Sequence, residues 1–373
     1  MSTELQRQFG MDVPVWGFTY EPEVAAAISR EGGFGVLGCI RFGGDADEMR
    51  EAVRFLDKES GGRPYGLNVV MPVSSEVVDA GDLDDLESKL DAMIPQERRD
   101  FVDRFLDEHD VPPLPDDAEE QARGVLGWTP QTGAVQLEVA MESNLAMLAS
   151  ALGPPPRESI DAAHDKGIPV SALVGRVDQA RKQREQGVDV IVAQGTEAGG
   201  HTGEIAGMVL TPEVVDAVAP APVLHAGGVG SGRQLAAALA LGAQGAWTGS
   251  VWLASTELHQ PQMLQDMLAR AEARDTIRSR SLTGKPARQL RTPWIDAWED
   301  PANPDPLPMP LQYLLTIDAL ARMRAAGRYD LVGTPGGQVL GSIRDTRPVA
   351  QIMQSLRDDG RAALQAVETA LEA

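Results

Sequence analysis

The 373-residue chain has a single cysteine, Cys39, so it can form no intramolecular disulfide and no thiolate metal cluster. Cys39 lies in the apolar run FGVLGCI and reads as a small core residue rather than a nucleophile. No apolar stretch reaches 18 residues, which argues against a membrane span. The start, MSTELQRQFGMDVPVWGF, lacks a basic segment followed by an apolar one, so no secretory signal is expected and the cytoplasm is the expected compartment. Basic residues are outnumbered, 33 against 55 acidic, for a formal net charge of −22. That balance disfavours nucleic acid and anionic membranes as partners. There is no HExxH, no close Asp/His cluster and no cysteine pair, so no metal site is expected. There is also no GxSxG elbow for an acyl-transfer serine, no repeat and no low-complexity tract.

What the chain does have is a run of short apolar segments: Val13–Phe18, Phe34–Cys39, Tyr65–Met71, Leu145–Ala151, Pro169–Val174, Val188–Ala193, Pro222–Ala226 and Gly245–Ser250. Amphipathic helices are expected between most of them, with glycine ending Glu21–Arg30, Asp178–Gln186 and Arg233–Leu241. Eight strands with helical crossovers, and no motif opening a nucleotide-binding doubly wound sheet, predict a (β/α)8 TIM barrel. An open doubly wound sheet is the alternative. Two regions break the rhythm. Residues 72–140 are too long for one crossover and rich in Asp and Glu, with helices expected at Leu83–Met93 and Gln96–His109 and a rigid loop at Val111–Asp117. They read as an acidic helical insertion after strand three, covering the barrel top. After the eighth strand come a helix at Gln262–Ala273, a basic stretch Arg278–Arg291, a proline-rich connector Pro301–Pro310 and helices Leu311–Ala326 and Arg347–Leu371. The expected division is therefore a barrel over 1–255 and a C-terminal helical region over 256–373.

The most informative segment is Val188–Gly203, VDVIVAQGTEAGGHTG. A strand buried on both faces ends in a glycine-rich turn, and His201 is the one side chain in that turn able to move a proton near neutral pH. Gly195, Gly199, Gly200 and Gly203 let backbone press against a planar or anionic ligand. After strand one, Gly17 permits close approach and Trp16 and Phe18 either line a flat pocket or fill the barrel. Asn68 within YGLNVVM is an amide among apolar residues, which points to a ligand contact. The loops after strands seven and eight, LHAGGVGSGRQ and AWTGS, fit the phosphate cup of a barrel, with Gly227, Gly228 and Gly230 as backbone and Thr248 and Ser250 as hydroxyl donors. His225 either faces the ligand or is a hydrogen-bonded core residue, and His109, His164 and His259 read as solvated. The basic stretch reads either as internal salt bridging or as a patch for a phosphate-bearing substrate such as a coenzyme A thioester.

The run AQGTEAGGHTG (Ala193–Gly203), continued by HAGGVGSGRQLAAALALGAQGAWTGS (His225–Ser250), closely resembles the signature of the nitronate monooxygenase family. The resemblance implies an FMN-dependent barrel with a helical substrate-side region. It implies that Asn68, Gln194, Gly199 and Gly200 hold FMN, that Gly227, Gly228, Trp247, Thr248, Gly249 and Ser250 supply phosphate contacts, and that His201 is the catalytic base. With Gly17 and Phe18 these make up the candidate site, and no metal is included. Two departures stand out: family members start with a strand ending Ala-Pro-Met where this chain has VPVWGFTY, and often carry arginine where it has Val251. The implied activity is oxidation of nitronates or nitroalkanes with O2 to a carbonyl compound and nitrite. The implied partners are a small-molecule substrate and O2, and a homodimer is left open. The alternatives are an NAD(P)H-dependent reductase of quinones or unsaturated acyl thioesters, which the superfamily also contains, and a non-catalytic flavin-binding protein.

Overall fold

The computed structural model describes residues 2–70, 83–114, 130–151, 153 and 155–372. Each of the eight apolar runs becomes a parallel strand of one closed barrel: Val15–Thr19, Phe34–Gly38, Tyr65–Val70, Met147–Ala151, Val170–Val174, Val190–Gln194, Val223–Ala226 and Gly245–Thr248. They are called the first to eighth barrel strands below. The register sets Gly38 beside Asn68, Ala193 beside His225 and Gly17 beside Thr248 where the barrel closes. The TIM-barrel expectation is borne out. Among the described residues, no helix is long and apolar enough to cross a membrane.

The two faces of each strand bury different layers. Inside the barrel, Trp16, Phe34, Val36, Met147, Val192 and Leu224 pack together, and the short helix Glu4–Phe9 brings Leu5 and Phe9 against them. Trp16 and Phe34 stack at 6.0 Å, so Trp16 is barrel filling. On the outside, Leu37, Leu67, Leu148, Val170 and Ile191 pack against the helical ring. This largely apolar sandwich is why both faces of the strands read as apolar in the sequence. Gly32, Gly187 and Gly242 close their helices with φ of 85°, 99° and 92°.

The expected insertion divides in two. The helix Pro130–Glu142, assigned to it from the sequence, belongs to the barrel's own ring, because its Val139 and Ala140 join the core outside the strands. The helix Gln96–Glu108 joins a separate aromatic layer with Pro293–Glu299 and Leu311–Ala325. In it Phe105 meets Trp294 edge-on at 5.0 Å and Phe101 meets Trp298 at 4.6 Å. The expected insertion start at Pro72, and the end of the expected loop Val111–Asp117, lie outside the described residues.

The last helix, Val349–Glu372, returns to the barrel wall. Its Val349, Ile352, Met353 and Leu356 pack with Val24, Ile28 and Leu235. Contact is closest at Gly232, where an added Cβ would lie 2.1 Å from the Gly360 backbone nitrogen. Backbone cannot yield as a flexible side chain would. Gly232→Ala is therefore expected to push this helix off the barrel and cost about 1–3 kcal/mol, read as a lower urea midpoint. An unchanged midpoint would show that the helix contributes nothing to stability there.

Candidate active site

A cavity of about 1410 Å³ opens at the carboxyl ends of the barrel strands. Phe18, Asn68, Gln194, Gly199, Gly200, His201, Gly227, Gly228, Trp247, Thr248, Gly249 and Ser250 all line it. Loops far apart in sequence meet here because parallel strands place all their carboxyl ends at one rim. Phe18 stacks on Trp247 at 6.1 Å and forms an apolar wall. Asn68 is buried on the third strand, and its amide has no side-chain hydrogen bond to another described residue.

Gly17 is the exception. Strand alternation points Trp16 and Phe18 inward and Gly17 outward, where a Cβ would lie 2.4 Å from Ile28 Cδ1 and 2.9 Å from Trp252 Nε1. It is a helix-packing glycine, not a ligand contact. The role expected of the Thr248 hydroxyl is also corrected. That hydroxyl donates to the Trp16 carbonyl (3.2 Å) and accepts from Trp252 Nε1 (3.0 Å), so its one proton is spent inside the protein. Gly230 leaves the expected cup too: its N–H donates to Gln234 Oε1 (3.0 Å), and it does not line the cavity.

The rest of the cup is open. Among the described residues, no acceptor takes the N–H groups of Gly228, Val229, Gly249 or Ser250. Ser250 Oγ accepts from Gly337 N–H at 2.8 Å and keeps its own proton to donate. Gly227 and Gly228 adopt φ of 111° and 70°, which turns the chain around the cup. His225 braces that turn and proves to be a core residue. Its Nε2–H donates to the Gly227 carbonyl (2.9 Å), Nδ1 accepts from the Thr211 hydroxyl (2.7 Å), and burial depresses its pKa.

His201 sits on a two-residue strand, Gly200–His201, that pairs with Ala287–Leu290, which in turn pairs with Thr276–Ser279. The basic stretch is thus a hairpin laid against the glycine turn. His201 Nε2 lies 2.7 Å from Thr283 Oγ1, and burial, followed by the charge of Lys285, lowers its pKa to about 4. The imidazole is neutral at pH 7. In the tautomer whose Nε2–H donates to Thr283, the basic lone pair lies on Nδ1. Most of the hairpin's cations serve the fold. Arg288 Nε donates to the Thr196 carbonyl (2.8 Å), Arg280 Nε to the Gly284 carbonyl (3.0 Å), and Arg291 pairs with Asp296 at 2.5 Å.

Three groups at the site had not been picked out from the sequence. Thr283 and Lys285 lie within the basic stretch Arg278–Arg291, but nothing in it marked these two individually. Glu197 is in the glycine turn, and its carboxylate accepts the Gly207 N–H with both oxygens (3.0 and 3.1 Å). Gly207, where a helix starts, is ten residues further along the chain, so no local signal marked Glu197. The segment Gly336–Gly337 also meets the site: a Cβ on Gly199 would lie 2.8 Å from Gly337 N.

The His201 environment makes a sign-definite prediction. In the unfolded chain a histidine takes its proton near 6.5, in the folded chain His201 does so at about 4. The unfolded state binds more protons between these values, so this group lowers stability as pH falls through that window and has no effect above it. His201→Asn should therefore lose less stability than the parent between pH 7 and pH 4.5. Parallel urea midpoints for the two proteins at all pH values would contradict this.

A family model described as nitronate monooxygenase matches residues 3–359. A Mycobacterium tuberculosis protein named "Putative monooxygenase Rv1533" is 41% identical over 370 residues, covering 96% of each chain. A "Probable nitronate monooxygenase" of Staphylococcus saprophyticus is 27% identical over 286 residues, 74% of this chain and 73% of that one. Among solved structures, nitroalkane oxidase from Streptomyces ansochromogenes superimposes with a TM-score of 0.79 at 25% identity, covering 97% of this chain and 99% of that one.

Proposed function

The chain belongs to the nitronate monooxygenase family of flavin oxidoreductases, and from that premise we propose that it is an FMN-dependent enzyme oxidising nitronates with O2 to a carbonyl compound and nitrite. One observation carries the reading: a neutral His201 and four N–H groups without acceptors among the described residues face one cavity. Those N–H groups and the Ser250 hydroxyl suit a phosphate monoester, which needs several donors and tolerates no intruding side chain. FMN has one such group. Asn68 and Gln194 offer amides to the polar edge of a flavin ring, and Phe18 and Trp247 offer apolar surface. When bound, FMN supplies the redox chemistry, taking electrons from the substrate and delivering them to O2. The protein's share is positioning and proton handling. Thr283 fixes the imidazole, His201 Nδ1 accepts a proton from an acidic substrate or hydrogen-bonds it, and the aromatic wall excludes water.

Anaerobic mixing is the direct test. A nitronate should bleach the flavin and NAD(P)H should not; bleaching by NAD(P)H alone would give the site to a reductase. Denatured protein should release FMN, and recovery of FAD would overturn the phosphate assignment.

Gly249 gives a clean probe of the cup. Its φ is −128° and an added Cβ would meet nothing within 4 Å, so a side chain there projects into open space. Gly249→Val should fold normally and weaken FMN binding by on the order of a hundredfold, the loss of one or two charge-assisted hydrogen bonds. Gly228→Val is a poorer probe, because its φ of 70° would strain the backbone whatever the ligand does. Undiminished FMN affinity in a folded Gly249→Val protein would move the phosphate elsewhere. His201→Asn should keep the flavin and lose turnover by roughly 10²-fold, the worth of a positioned acid–base group; near-normal turnover would make His201 structural.

A further inference from the structure

One cation of the basic hairpin is not used by the fold. Gly284, with φ 85° and its N–H on the Arg280 carbonyl (2.8 Å), turns the chain back on itself. Lys285 N–H then donates to Thr283 Oγ1 (3.3 Å), the oxygen that lies 2.7 Å from His201 Nε2. Two residues later Ala287 stands opposite His201 in the ladder. Lys285 is thereby held beside the imidazole, and its exposed side chain lines the cavity. Most of the other charged groups at this corner have partners. Arg278 faces Glu204 at 3.8 Å, Arg288 donates to the Thr196 and Thr276 carbonyls, and Glu197 takes the Gly207 N–H. On the neighbouring helix Val177–Glu185 and its cap, Arg176 pairs with Asp178 at 2.9 Å, while Lys182 also lines the cavity. Among the described residues, no carboxylate pairs with Lys285.

We propose that Lys285 anchors the anionic end of the substrate beside His201 and so selects the anion over its neutral conjugate acid. This rests on the reading that the His201 cavity holds the substrate. A chain of net charge −22 repels anions at long range. An ammonium within direct contact of a bound anion reverses that locally, because attraction rises steeply at short distance. The same charge, after burial, holds the imidazole pKa down.

The test uses the holoenzyme, Lys285→Met, and Lys285→Arg as the charge-conserving control. The probes are butanoate, whose carboxylate has the charge and planar shape of a nitronate, and neutral 1-nitrobutane, each titrated by calorimetry at pH 7. Lys285→Met should bind butanoate at least about tenfold more weakly, the loss of one charge-assisted hydrogen bond. It should bind 1-nitrobutane as the parent does, and Lys285→Arg should retain butanoate binding. In the NMR titration of Lys285→Met, the His201 pKa should rise yet stay below the ordinary histidine value, since burial is the larger cause. The KM for butyl nitronate should rise with kcat little changed. Unchanged butanoate affinity in a folded, flavin-loaded Lys285→Met protein overturns the proposal. So does an equal loss for both probes, which would indicate packing rather than charge, or no butanoate binding by the parent at millimolar concentration. A parent that turns over no nitronate defeats the function proposed above, while calorimetry and the His201 titration still decide the role of Lys285.

Discussion

The two hydrogen bonds from Gly207 N–H to the Glu197 carboxylate fix the arrangement on which the site depends. Glu197 belongs to the turn that carries His201, and its side chain reaches the start of the helix Gly207–Val218, where the dipole favours a negative charge. The Cγ of Glu197 would lie 3.3 Å from a Cβ on Gly228, so the Gly227–Gly228 turn is built directly on it. Its carbonyl accepts Gln338 N–H at 2.9 Å, which brings the Gly336–Gly337 segment against Gly199. One acidic residue thus fixes His201, the Gly227–Gly228 turn and the C-terminal segment relative to each other. Arg288 compensates its charge at a distance while spending its own hydrogen bonds on carbonyls.

Net charge and local charge have opposite signs here. Acidic residues dominate the chain as a whole, yet the hairpin Thr276–Leu290 concentrates cations beside His201. Most of them reach backbone carbonyls or nearby carboxylates, which fixes the hairpin as a rigid wall. What remains is the ammonium of Lys285, in a cavity whose other walls are largely apolar. Charge at the centre is set by what is left unpaired, not by composition.

Much of the fold was legible because its physical causes are local. A strand covered by side chains on one face and helices on the other must be largely apolar, and each of the eight runs is, with single polar residues such as Asn68, Ser171 and His225 among them. Of the glycine turns, Gly199, Gly200, Gly227 and Gly228 reached the cavity as their spacing suggested. Gly17 failed for a reason that strand alternation already contained: with Trp16 filling the barrel, its neighbour had to face the helices. Thr248 failed for a different reason. A hydroxyl at a cavity rim looks available as a donor until the Trp16 carbonyl, across the seam where the barrel closes, takes its proton.

The sequence by itself determined the eight strands, the glycine-bedded His201 and the family, because backbone conformation and burial on both faces leave marks at short range. Only the tertiary structure decided which hydroxyl and N–H groups stay open, since each is used up or spared by a partner distant in the chain. It alone brought Thr283 and Lys285, more than eighty residues away, to the imidazole. Electrostatics at the site depend on burial and on distances across the barrel rim, and neither exists until the strands have closed.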